Sequence, residues 1–160
     1  MLRNIKAIMI LTVALWGFVG ASHNLLDWNG TLGAVGAATS MSTFEGGAES
    51  WQATSSPIVI WCGALFIMLS KIATGILCTY GAIGMWRNIG SNQVAYNSAK
   101  QIALTGCGVA ITMLFLGFIV VAESWFELWR SQAMIGPVLQ SAFRYGGMIG
   151  VIAVFVASKE

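Results

Sequence analysis

The feature that most restricts this chain is the long apolar run from Pro57 to Trp86, whose only formal charge is Lys71, near its middle. About 20 consecutive apolar residues are enough for a helix to cross the hydrocarbon layer of a membrane. This run therefore reads as a spanning helix, with length to spare for tilt. Of the 160 residues, 57% are hydrophobic and 9% charged, against roughly 25% charged in a soluble domain. A lysine midway along such a helix needs an answering group, since placing it there costs about 3 kcal/mol even on the milder insertion scale.

Three further apolar runs accompany it. Arg3 and Lys6 stand at the start of the run from Ile5 to Ala21, which lacks a clear small-x-small cleavage site and carries bulky Trp16 and Phe18, so it reads as an uncleaved first span. Ile102 to Ala122 and Ser141 to Ser158 supply the third and fourth. The expected fold is all-α: an antiparallel up-down four-helix transmembrane bundle, forming one integral membrane domain over residues 1–160. Its spans lie at about 5–22, 58–86, 101–122 and 141–158, with an inner loop at 87–100 and outer segments at 23–57 and 123–140. The first outer segment reads as a long loop, in which Leu32 to Thr43 has room for a short helix. Pro137 limits any helix in the second.

Cationic residues set the expected orientation. Arg3, Lys6, Arg87, Lys100 and Lys159 fall on one side, and only Arg130 and Arg144 on the other. By the positive-inside rule both termini are cytoplasmic, here in a bacterial inner membrane, so a cysteine at Ser50 is expected to label from outside and one at Asn92 not.

On the central helix Lys71, Gly75 and Cys78, followed by Ala82, share one narrow face. Small residues let helices approach closely in lipid, so Lys71 is expected to point into the bundle or toward a partner subunit, and the face to meet a partner or an ion. Glu123 is too far from Lys71 in depth to answer it, whereas Ser70, Thr74, Thr105 and Thr112 are closer. Glu123 and Arg144 are expected to form a structural ion pair, and Glu127 with Arg130 an exposed one. Gly106 with Ala110, and Gly146 with Gly150, are expected to pack helices. Trp28, Trp51, Trp125 and Trp129 are expected to anchor at headgroup level.

Several function classes find no support in the residues. The net charge of +2 is too small and scattered for nucleic acid binding. Cys62, Cys78 and Cys107 sit in apolar runs with no CxxC spacing, and His23 alone cannot supply both axial ligands of a haem. No phosphate loop, HExxH, GxSxG or paired intramembrane carboxylates are present. Lipid contacts are expected, and no cofactor.

Four short motifs recur in order: Leu26-Asp27-Trp28-Asn29, Ser40-Met41-Ser42-Thr43-Phe44, Trp125-Phe126-x-x-Trp129-x-Ser131, and Ala142-Phe143-Arg144. Through them the chain resembles the bacterial small integral membrane proteins catalogued as domain of unknown function twenty-one sixty-five. The resemblance implies an inner-membrane, multi-pass protein and no particular activity. Where that family's pattern has a loop His and Asp, a second-helix Glu and a third-helix Gly-Glu-Trp-Phe, the matching positions here are Ala37, Ser42, Lys71 and Ser124, with the acid displaced to Glu123. A member so depleted of ionisable groups suits a partner-bound role. The expected function is a non-catalytic accessory subunit of a larger inner-membrane complex, docking on other integral membrane subunits. The alternative is a small homo-oligomeric transporter or channel using Lys71, and a third reading is an oxidoreductase subunit touching quinone or haem.

Overall fold

The computed structural model describes residues 2–90 and 93–159; Met1, Ser91, Asn92 and Glu160, the middle two in the expected inner loop, lie outside the described residues. It is helical, with four helices long and apolar enough to cross a membrane. These are α1 Leu2–Leu26, α3 Pro57–Arg87, α4 Gln93–Trp125 and α5 Gln132–Ala157, with the shorter α2 Trp28–Thr39 between the first two.

The boundaries differ from expectation in three places. The segment 23–57 is not one long loop. Its first part completes α1 and its next part is α2, which starts when the Asp27 carboxylate accepts from the Gly30 N–H at 3.0 Å. An N-cap of this kind answers a donor that helix geometry leaves unpaired. Only Asp27 and residues 40–56 lie outside the helices. The third span begins at Gln93, because Tyr96, Ala99 and Ala103 recur on one face and bury themselves against α3 despite the polar residues between them.

The third difference concerns the ends of α4 and α5. Met113–Trp125 and Ile135–Gln140 are wound as π-helix. The wider winding shows in the Ser124 hydroxyl, which donates to the Ile119 carbonyl five residues back at 2.8 Å, and in the Phe126 N–H, which reaches Val121 at 3.0 Å. Pro137 falls inside the second π segment without ending the span. A local π adjustment is one way a spanning helix absorbs a missing N–H.

Small residues set how the helices meet. A Cβ on Gly17 would stand 2.7 Å from the Lys71 carbonyl oxygen and 2.9 Å from the Gly75 nitrogen, so α1 and α3 touch backbone to backbone. A Cβ on Gly81 would lie 2.5 Å from the Ala103 nitrogen, and one on Gly106 would lie 2.6 Å from the Cys78 sulfur, which fixes α3 on α4. In each pair the residue number falls along one helix as it rises along the other. Lys6, with no exposed surface, donates to the Ser158 carbonyl at the end of α5 at 2.7 Å. Arg3 donates to the Ile89 carbonyl at 2.9 Å and lies over the Tyr96 ring. The start of α1, the end of α5, the end of α3 and the start of α4 thus share one end of the bundle, called here the terminal end.

At the other, aromatic, end lie α2 and the irregular segments. Thr54 donates its N–H to Thr39, Gln52 reaches the Trp125 carbonyl, and Arg130 donates to Glu45 while covering Phe44. Buried Leu128 and Leu139 pack with Ala38 of α2, carrying the short helix across that end of the bundle.

Candidate functional site

Lys71 leaves α3 beside Gly17, and its side chain then runs along α1 toward the aromatic end. Helical side chains lean toward their own N-terminus, which on α3 is that direction. Gly20 keeps the path clear, since a Cβ there would sit 3.1 Å from the lysine Cδ and 3.4 Å from Nζ. The ammonium donates to Asn24 Oδ1 at 2.6 Å. Asn24 is itself held, because its Nδ2 donates to Thr31 Oγ1 at 3.2 Å and that hydroxyl faces the carbonyls of Asn24 and Asp27. The relay turns the amide oxygen of Asn24 toward the lysine.

The answering group is therefore Asn24, and none of the four hydroxyls expected near Lys71 bonds to it. Thr105 donates to Gln101, and Thr74 is buried without a partner. Ser70 and Thr112 line a separate shallow cleft with Thr105. No carboxylate stands within 4 Å of the ammonium among the described residues.

Lys71 lines a chamber of about 770 Å³ at the aromatic end, beneath α2. Its walls are apolar, from Ile58, Phe66 and Ile67 of α3 and Leu116 and Phe118 of α4 to Val138 of α5. The polar residues of the lining are Lys71, Asn24, Thr31, Thr39, His23 and Asp27. Cys62, the exposed one of the three free thiols, also lines it.

The other members of the expected contact face are filled by the chain's own helices. A Cβ on Gly75 would meet the Phe18 ring at 2.8 Å, and Cys78 lies against Gly106 with its thiol 3.6 Å from the Ala103 carbonyl. Neither is open to a partner, because α1 and α4 cover them.

The ion pair expected between Glu123 and Arg144 is not formed. Arg144 donates to the Ser141 hydroxyl one helical turn back, at 3.1 Å. Both residues instead line a second cleft of about 790 Å³ between α4 and α5, with Phe115, Trp129, Gly146 and Gly147. Gly146 stands 3.7 Å from Leu114 through its would-be Cβ, whereas Gly147 and Gly150 face open space. Glu127 and Arg130 do pair, at 2.8 Å, around a left-handed Glu127 that turns the chain between α4 and α5.

The four tryptophans lie at the aromatic end. Trp28 meets Trp61, which sequence reasoning passed over, at a tilt of 59° and 5.4 Å, and Trp51 meets Trp125 edge-on at 5.3 Å. Trp51 is 82% exposed, and Trp129 borders the second cleft. Among the described residues no group of three or more His, Cys, Asp or Glu gathers to hold a metal.

The family model described as predicted small integral membrane protein (DUF2165) matches residues 2–159. Neither the curated proteins nor the solved structures give a match.

Proposed function

The chain belongs to the DUF2165 family of predicted small integral membrane proteins, and from that premise we propose that it is a non-catalytic accessory subunit of a larger assembly in the bacterial inner membrane. In this reading it is an antiparallel up-down bundle with both termini cytoplasmic. The excess of cationic residues at the terminal end supports that orientation. A cysteine at Ser50 in a Cys62→Ser background is expected to react with an impermeant maleimide from outside, and one at Gly90 not; the reverse pattern would overturn the topology.

The observation that carries the accessory role is the second cleft. It is bordered by an acid and a base that do not answer each other, Glu123 and Arg144, and by Gly147, which faces open space and whose bare backbone allows another helix to come close. This moves the docking site away from Lys71, Gly75 and Cys78. A photo-crosslinking residue at Phe143, 74% exposed beside the cleft, is expected to trap one discrete membrane protein in cells, and one at Leu11 of α1 none. A protein that stays monomeric in mild detergent with no crosslink from Phe143 would sink the reading.

A second reading, a small homo-oligomeric transporter or channel using Lys71, draws support from the chamber that Lys71 lines. Against it stands the contact of Gly17 with Lys71 and Gly75 just below, which obstructs an onward path within one copy. A flux in proteoliposomes that disappears in Lys71→Met would favour it.

A further inference from the structure

The chamber beneath α2 joins three observations that no docking role uses. Its walls are apolar, one cation on its lining is answered only by a neutral amide, and one acid, Asp27 at the N-cap of α2, also lines it. A cation in apolar surroundings keeps a large unmet solvation cost when its partner is uncharged. Lys71 gives one N–H to Asn24, and an ammonium has three. The remaining donors suit an anion, and the apolar walls suit a hydrocarbon chain.

Asp27 narrows the choice. Its carboxylate receives the Gly30 N–H while lining the chamber, and it sits three residues beyond Asn24. At 1.5 Å per residue the backbone of Asp27 stands about 4.5 Å further toward the aromatic end than that of Asn24. Positive and negative groups so ordered complement a head whose phosphate is followed, one short linker on, by an ammonium. An anionic head with no ammonium would meet the repulsion of Asp27. We propose that the chamber holds one zwitterionic phospholipid of the surrounding bilayer, of the phosphatidylethanolamine type, with its phosphate on Lys71 and its ammonium on Asp27. The volume of about 770 Å³ is within the range of roughly 300–1,000 Å³ typical of small-molecule sites, enough for the head and the first part of a chain, with the remainder in the membrane. The inference does not depend on the accessory role, and a protein without subunit partners would still bind the lipid.

The test is native mass spectrometry of the full-length protein released from nanodiscs of phosphatidylethanolamine, phosphatidylglycerol or phosphatidylcholine, each with the same acyl chains. The wild type is expected to retain one phosphatidylethanolamine at least about tenfold better than the other two, the scale of one charge-assisted hydrogen bond. Lys71→Met is expected to lose that retention, and Lys71→Arg to keep most of it. Asp27→Asn, which preserves the N-cap and so the fold, is expected to abolish the preference while phospholipid is still retained. Equal retention of phosphatidylglycerol by the wild type, or unchanged retention in Lys71→Met, would overturn the proposal. So would retention of free oleate in place of any phospholipid.

Discussion

The two ends of the bundle are built on different rules. From the terminal end up to the floor of the Lys71 chamber, glycines and alanines bring α1, α3 and α4 into backbone contact, and Tyr96, Lys6, Ile10 and Met85 are wholly buried. At the aromatic end the last turns of α4 and the first of α5 widen into π-helix, two cavities open, and α2 crosses above the one that Lys71 lines. Dispersion contacts hold helices together in lipid, so the tight end supplies most of the cohesion. The loose end forgoes some of that packing and gains concave surface. π segments cluster at functional sites for this reason, since they redirect side chains without ending a helix.

The sharpest way to break the comparison is to enlarge a contact at the tight end. Gly17→Leu is expected to prevent stable folding, because its first added atom already meets the backbone of Lys71; overpacking commonly costs about 1–3 kcal/mol, and more where the backbone must move. A variant whose thermal midpoint in detergent matches the wild type would refute the assignment of cohesion to that end. Next in size, Lys6→Met is expected to lower stability by about 1–3 kcal/mol, as it strips a charged donor from the last carbonyls of α5. An unchanged denaturation midpoint would show that the first and last helices do not need that tie. At the loose end the sign reverses. Gly147→Ala faces open space and is expected to gain up to about 1 kcal/mol from helix propensity; a loss would mean the second cleft is already filled. Smallest of all, Glu127→Gln is expected to shift stability by no more than about 0.5 kcal/mol, since its pair with Arg130 is solvent-accessible.

Hydropathy made the four spans legible, because length and the scarcity of charge decide insertion. What it left unread followed from register. Depth along α3, measured from Pro57, places Lys71 near mid-membrane, yet α3 extends past α1 at the aromatic end. Measured from the terminal end, where Arg3 meets Ile89, the residues separating Ile89 from Lys71 lead from Arg3 to Ala21, beside Gly20. That count would have put Lys71 within a side chain's reach of Asn24. The small face containing Gly75 and Cys78 was visible as a packing surface, but spacing alone does not say whether the covering helix is the chain's own. Glu123 and Arg144 line one cleft without pairing, and the π winding that contains Glu123 has no local sequence mark.

Cys62 lines the chamber in the open while Cys78 and Cys107 are sealed inside the bundle. The unaltered polypeptide thus carries its own attachment point for a thiol-reactive fluorophore, in the compartment whose contents matter most. Emission from that dye would report polarity there without any mutagenesis.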